Sequence, residues 1–417
     1  MPKEYTSKPV EKCQICGASG LRSVLFIGYI PPVNTMPTIG STPVEETVYP
    51  LEMLRCEKCT LVQIGLEVDQ NILFPLTYPY LSASTKILRE NFANLCRESS
   101  SLLGLKAGDL VADIGSNDGT LLSNFKNAGY RVLGIEPTNA ADIANANDIT
   151  SEKVFFNAKN AAAAKKKYGE AKVITAANVF AHIGDIHPIV DEILDLLAPN
   201  GVFISESHYL LGLIETVQYD TIYHEHLRYY SMRSLSYLLN MHGLEVFHVT
   251  RIPTHGGSIR VYAARKGQKQ ADNSVSEILA EEDRKGITDG SALAAFRKKV
   301  IQSKLALHEL LRPLKEAGAR IYGIGAPSRS STLINYVGLD DGLIDCVMEI
   351  KTSPKVGKYV PGTRIPVLDE EKLYADQPEY ALLFSWHITN ELTANLRKKG
   401  FKGKFIVPLP WPSILEI

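Results

Sequence analysis

Asp113-Ile-Gly115-Ser-Asn117-Asp118-Gly119 decides the fold of this chain. An apolar run, Leu110 to Ile114, leads into it. A helix-forming segment follows, and the next apolar run, Arg131-Val-Leu-Gly-Ile, closes on Glu136 and Pro137. A strand, a Gly-rich turn, a helix and a strand ending in an acid make one half of a doubly wound α/β sheet. Such a sheet binds nucleosides outside the carboxyl ends of its strands. The glycine spacing then separates two ligands. A dinucleotide fingerprint needs G-x-G-x-x-G so that the backbone can approach a pyrophosphate. Here Gly115 and Gly119 stand four apart and follow Asp113, where a phosphate would meet a carboxylate. The sulfonium and ammonium of S-adenosylmethionine tolerate that carboxylate, and Glu136 can accept from ribose hydroxyls. A methyl-donor site is the reading, with Asn117, Pro137 and Asn178 beside the donor and the Phe155-Phe156 pair near its adenine. A capped Gly-rich turn without a ligand is the alternative.

Working outward, 417 residues are too many for one ordinary core and imply two or three domains. Forty-five basic against 46 acidic residues leave a net charge of −1, which offers no field to nucleic acid or an anionic membrane. Met1 to Lys12 is polar, and no apolar run approaches the roughly 18 residues that span a bilayer. The expectation is a cytoplasmic protein with neither nucleic acid nor membrane as partner.

Five blocks can be drawn: 1–70, 71–104, 105–265, 266–318 and 319–417. The first holds four of the six cysteines. The second is a connector in which Tyr78-Pro-Tyr80 leads into an amphipathic helix from Ser84 to Leu103. The third alternates strands and helices, which argues for a mostly parallel sheet, and its last two β-rich runs can add an antiparallel edge. The fourth is helical, with an apolar stripe through Val300, Leu305, Leu307, Leu310 and Leu311. A second α/β unit begins at Arg320.

Cys13-x-x-Cys16 and Cys56-x-x-Cys59 are two knuckles whose four thiolates can surround Zn²⁺ tetrahedrally. Two disulfides are the rival, weakened by the absence of an export signal. A closed four-sulfur site leaves no position for substrate, so the zinc is expected to be structural. Cys96 and Cys346 read as core residues.

Between the strand ending at Glu206 and the helix beginning near Ser231 runs Tyr219-Asp-Thr-Ile-Tyr223-His224-Glu225-His226-Leu-Arg228-Tyr229-Tyr230. Three titratable side chains in a row, flanked by tyrosines, are unusual for a connector. The segment follows a late strand of the donor fold and so lies at its carboxyl edge, with Asn178 and His182 on the same rim and Tyr78 and Tyr80 able to fold over it. General acid–base chemistry is the favoured reading. A metal held by His224 and His226, or a purely structural network, is the alternative.

The combination of the two cysteine knuckles, Asp113-Ile-Gly-Ser-Asn-Asp-Gly119 and Tyr223-His-Glu-His226 resembles the bacterial nucleotide-sugar C-methyltransferases, in particular the C-3′-methyltransferases of tetronitrose and kijanose type. The resemblance runs over essentially the whole chain. It implies an N-terminal zinc-binding domain, a central class I methyltransferase domain and a C-terminal Rossmann-like domain that helps hold the sugar nucleotide. It also implies His226 as base with Tyr223 as its partner, and His182, Glu225 and Tyr78 around them. The implied acceptor is a nucleotide-linked 4-keto deoxysugar, dTDP-linked in the expected case, with the protein a monomer or homodimer.

In the C-terminal unit Gly323-Ile-Gly325-Ala-Pro-Ser328 begins like a dinucleotide fingerprint but ends in Ser, which argues against NAD. Relatives often read Ala-Lys-Gly-Asn where Ser328-Arg329-Ser330-Ser331 stands, so the nucleotide can differ. Gly325, Asn335 and Tyr336 are expected on the acceptor nucleotide. Lys355, Lys358 and His224, with Tyr80, complete the expected acceptor set, and two solvated lysines are the alternative for the first pair. An epimerase, or an O- or N-methyltransferase acting on a small molecule, is the rival function.

Overall fold

The computed structural model describes residues 6–43, 45–74, 82 and 85–416. At its centre is a seven-stranded sheet in the order Leu244–Ile252, Ser258–Arg265, Leu197–His208, Ala171–Ala177, Leu110–Ile114, Arg131–Ile135, Ser151–Glu152. The five strands from Leu197–His208 to Ser151–Glu152 pair in parallel, and the two late strands form the antiparallel edge. Leu110–Ile114 is buried along its whole length, as a central parallel strand covered on both faces must be. From this strand the chain first builds outward to Arg131–Ile135, then returns to add Ala171–Ala177 on its other side. That reversal is the switch point beside which ligands bind. The quoted turn therefore opens at the sheet's carboxyl edge, in the α/β class the sequence predicts.

A four-stranded antiparallel sheet carries the cysteine block, in the order Arg228–Tyr229, Val62–Ile64, Tyr49–Arg55, Arg22–Ile30. Its first strand comes from the acid–base segment, more than 150 residues further along the chain than its partner. The C-terminal unit is a second seven-stranded sheet. Five parallel strands, Pro366–Asp369, Cys346–Glu349, Ile321–Ile324, Tyr380–Leu383 and Lys404–Val407, are flanked by the short antiparallel strands Lys358–Tyr359 and Ser413–Leu415.

The long helix Ser291–Glu316 buries Leu293, Phe296, Val300, Ser303, Leu307 and Leu311, a run of three- and four-residue steps. Leu305 falls out of that phase and is 56% exposed, so the apolar stripe expected there includes one residue that faces solvent. Cys96 and Cys346 are core residues, as expected. Among the described residues no helix is long and apolar enough to cross a membrane.

Candidate active site

Gly115 and Gly119 have φ of +68° and +77°, where a side chain is strained. A Cβ at Gly115 would stand 2.6 Å from Val179 Cγ2, and one at Gly119 would stand 3.0 Å from Ile149 Cγ2. Glycine is therefore what this turn demands. Glu136 is buried, and its two oxygens accept from the N–H groups of Asn117 at 3.0 Å and Thr138 at 2.9 Å. Each oxygen keeps lone-pair capacity for a ribose hydroxyl. Pro137 lies between these contacts and pushes Glu136 into extended backbone. Asn117 accepts from the Ser82 N–H at 2.9 Å.

Asp113 is buried below the turn and accepts from Thr175 Oγ1 at 2.6 Å. Burial, with Glu136 and Glu206 nearby, pushes its carboxyl up to about 7. Asn178 ends the neighbouring strand at φ +60°, its N–H donating to the Glu206 carbonyl at 2.8 Å. Its Oδ1 is buried with no partner among the described residues. An orphaned buried acceptor at the end of one strand and a buried carboxylate on its neighbour suit a cationic, hydrogen-bond-donating ligand. Phe156 packs into the core while Phe155 is 68% exposed, so the adjacent pair is split between interior and surface.

The acid–base segment is almost wholly buried. His226 Nδ1 lies 2.9 Å from the Thr221 carbonyl, which can only accept. The proton must sit on Nδ1, which leaves Nε2 with its lone pair. Tyr223 packs on the His226 ring at 4.1 Å, His182 at 4.9 Å and His208 at 5.0 Å between centroids. His182 donates to the Glu225 backbone carbonyl, and its Nδ1 is buried without a partner among the described residues. Burial holds the imidazoles of His182 and His255 down at about 4, and holds His208 and His226 well below the ordinary range. The His226 base expected from sequence is thus neutral, and weaker than a free imidazole.

Three directions pin this segment. Arg228 donates to the carbonyls of Ile183, at 2.5 Å, and Gly184. Leu227, Arg228 and Tyr229 join the cysteine block's sheet. From the C-terminal unit, the Arg329 guanidinium lies 3.0 Å from Asp220 and donates to Gln218 Oε1 at 2.9 Å and His387 Nδ1 at 2.7 Å. Trp386 Nε1 donates to Asp220 at 2.8 Å, and Thr332 donates to the Ile222 carbonyl at 3.1 Å.

Other expected acceptor residues are placed as follows. His224 turns toward the cysteine block, its Nε2 3.4 Å from the Pro50 carbonyl and its ring on Tyr49. Gly325 has φ +80° at the end of its strand, followed by Ala326, whose N–H donates to Glu349 at 2.9 Å. Lys355 is not solvated: its Nζ donates to the Ala326 carbonyl at 2.6 Å, and burial pulls its ammonium down against the charges of Glu349 and Glu225. Lys358 is half-buried in its short strand. Asn335 spends its amide on the Ser331 and Pro361 carbonyls, and Tyr336 packs at a tilt against Tyr219, 5.0 Å between ring centroids. Tyr78 and Tyr80 lie outside the described residues.

Sequence reasoning missed Asn34, His208, Asp220, His255, Arg329 and Trp386. One local signal existed: His255 sits in Thr-His-Gly-Gly and adopts φ +55°, a conformation rare outside glycine and worth attention near a site.

The four cysteine sulfurs lie within 4.8 Å of one another, with Cys13–Cys59 at 3.4 Å and Cys16–Cys56 at 3.5 Å. These separations far exceed a disulfide bond and lie near the roughly 3.8 Å edge of a tetrahedron with bonds of about 2.3 Å. The shared contact pulls the Cys13 thiol down to about 5 and pushes that of Cys59 up, so the set needs a cation before all four can ionise. The donor set fits zinc.

Over 414 residues, 98% of this chain and 98% of the relative, the sequence is 33% identical to C-methyltransferase NovU of Streptomyces niveus. The chain belongs to the C-methyltransferase family. Three family descriptions divide it: "Putative zinc binding domain" matches 13–74, "Methyltransferase domain" 87–249 and "C-methyltransferase C-terminal domain" 253–410. The protein is an S-adenosylmethionine-dependent methyltransferase with a zinc-binding N-terminal domain. Among solved structures, magnesium protoporphyrin IX methyltransferase of Synechocystis PCC 6803 matches 43% of this chain and 79% of its own. It does so at 14% identity and a TM-score of 0.33. The glycopeptide N-methyltransferase MtfA matches 42% of this chain and 93% of its own, at 13% identity and a TM-score of 0.33. Likeness at that level bears no argument about the site.

Proposed function

We propose that this C-methyltransferase methylates the carbon next to the ketone, C-3′, of a nucleotide-linked 4-keto deoxysugar, and that His226 makes the enolate. The observation that carries the reading is the His226 tautomer: Nδ1–H is spent on the Thr221 carbonyl, and Nε2 is left to accept a proton. Carbon acceptors need this more than oxygen acceptors do, because a C–H beside a ketone is a weak acid. His226 Nε2 takes the proton, and the C–H electron pair becomes the C=C of an enolate whose charge rests on oxygen. Tyr223, packed against His226, carries a hydroxyl that can donate to that oxygen, whereas His182 spends its one N–H on the Glu225 carbonyl. S-adenosylmethionine supplies an electrophilic methyl group. Gly115, Gly119, Glu136 and Asn178 would hold it, with Asp113 facing its positive charge. Gly325, Lys355, Asn335 and Tyr336 would serve the acceptor's nucleotide, dTDP in our reading, through the C-terminal unit.

The test is solvent deuterium exchange at the sugar carbon without donor, followed by mass spectrometry of product with donor. His226→Asn should slow exchange by roughly 10²–10⁴-fold, the usual worth of a positioned base, and leave donor affinity unchanged. Exchange at full rate in that variant would move the base elsewhere.

A further inference from the structure

The Glu225 side chain is held from outside its own segment. Asn34 Nδ2 donates to Glu225 Oε1 at 2.6 Å, a contact spanning 191 positions. Asn34 belongs to the zinc-binding domain, in the turn that follows the strand Arg22–Ile30. That turn is rigid. Pro31 and Pro32 fix its entry, the Thr35 N–H and hydroxyl both donate to the Pro32 carbonyl, and the Met36 N–H donates to the Asn34 carbonyl. Gly362 of the C-terminal unit closes on it, where a Cβ would lie 3.0 Å from Pro31 Cγ. The same domain holds the backbone on either side of Glu225: His224 is bound at Pro50, and the Ile64 N–H donates to the Leu227 carbonyl at 3.0 Å. An amide donor at 2.6 Å on a carboxylate is a charge-assisted bond, short and directional.

We propose that Asn34 is a positioning residue for catalysis, through which the zinc-binding domain sets the orientation of Glu225 in the acceptor cleft. The inference rests on the reading of that cleft as the keto-sugar site. It assigns the N-terminal domain a part in the reaction beyond folding. Among the described residues, other charged or titratable groups facing Glu225 include Lys355 from the C-terminal unit, Glu67, and His224 with His182, both of which line the same small cavity as Glu225. None of these takes the place of the amide donor at Oε1: Lys355 Nζ is on the Ala326 carbonyl, the His182 N–H is on the Glu225 backbone carbonyl, His224 Nε2 faces the Pro50 carbonyl, and Glu67 is itself an acid.

The experiment uses the full-length zinc protein and a panel of dTDP-linked 4-keto-6-deoxyhexoses in D₂O, with exchange rate, zinc content and donor affinity measured from pH 5 to 8.5. Asn34→Ala should lower the exchange rate about tenfold or more, the worth of one hydrogen bond to a charged group, by a factor that does not vary with pH. Asn34→Asp should be worse than Asn34→Ala at pH 8, where two carboxylates would face each other. It should recover as pH falls, because one shared proton restores a donor at the same place. Zinc content and donor affinity should match wild type in both. Parallel pH profiles for the two variants and wild type, or a loss of zinc or donor binding equal to the loss of rate, would overturn the proposal. Wild-type protein that exchanges no proton on any member of the panel would instead sink the keto-sugar reading, and the role of Asn34 with it.

Discussion

Asp113→Asn is the substitution whose outcome the structure specifies most sharply. In the folded protein burial raises this carboxyl from an ordinary 3.8 to about 7. The folded state therefore binds a proton that the unfolded chain has released, throughout the window between those values. Stability from this group is fully present below about 3.8 and is lost as pH rises toward 7. The gap is worth about 4 kcal/mol at 1.36 kcal/mol per pH unit, an upper figure for the ligand-free protein above pH 7. Asparagine keeps an oxygen for Thr175 Oγ1 and removes the charge. The variant should match wild type near pH 4 and exceed it increasingly up to pH 8, by several degrees in the unfolding midpoint of the central domain. Donor binding should move the other way. A cationic donor favours the ionised carboxylate, so wild-type affinity for S-adenosylmethionine should fall as pH drops below 7, with proton release on binding. The affinity of Asp113→Asn should be weaker and flat over the same range. Differential scanning calorimetry across pH and isothermal titration in two buffers of different ionisation enthalpy measure both arms. A variant no more stable than wild type at pH 8, or a wild-type donor affinity that does not change from pH 5.5 to 8, would refute the reasoning.

Metal analysis should find one zinc per chain, and Cys16→Ser should lower both zinc content and soluble yield, because metal binding at such sites contributes folding free energy. Removing Arg329 strands Asp220, whose partners are that guanidinium and Trp386. Arg329→Met should therefore destabilise by roughly 3–5 kcal/mol in chemical denaturation, the usual cost of breaking a buried pair. Asp220→Asn with Arg329→Met should recover part of that loss. The rate of exchange should be level between pH 6 and 8, since His226 titrates well below 6.5, and a loss of activity centred near 6.5 would assign the base to a different group.

The Gly-rich turn and buried acid of the proposed donor site were legible in the sequence because they are local. Twenty-four residues, from Asp113 to Glu136, contain Gly115 and Gly119, both at positive φ, and the acid that closes the next strand. The zinc ligands were legible for the same reason: two knuckles declare themselves by spacing, whatever the length of chain between them. The contacts around the proposed acceptor site were not. Asn34 meets Glu225 across 191 positions and Arg329 meets Asp220 across 109, and neither pair leaves a period or a spacing that sequence alone can carry. Their contact follows from docking of one folded unit on another. Short elements failed for a different reason. Lys358–Tyr359 and Arg228–Tyr229 are two residues each, below the length at which alternation exists, and they are strands only because a neighbour offers an edge.

With His226 as the proposed base, the electrostatics around it also account for how a weak base would suffice. His182, His208, His226 and His255 are buried together and held neutral, and the neighbouring guanidinium of Arg329 is paired with Asp220. An imidazolium forming alone in such a place is opposed first by burial, then by the neighbouring His182 and His255, and least by Arg329, which together drive the His226 value down. Proton transfer from a carbon acid does not form it alone. The enolate appears in the same step and within the same low-dielectric volume, where opposite charges in contact stabilise each other far more than in water. Arg329 opposes the cation but favours the anion. On the proposed reading the free protein keeps His226 unprotonated at physiological pH, and the driving force for proton removal would arise only when a keto-bearing carbon stands against Nε2. On this account a group too acidic to need a base gains nothing from the cleft. An acceptor panel should therefore rank by its capacity to enolise rather than by the number of its hydroxyls, and efficient methylation of a sugar nucleotide without a ketone would contradict it.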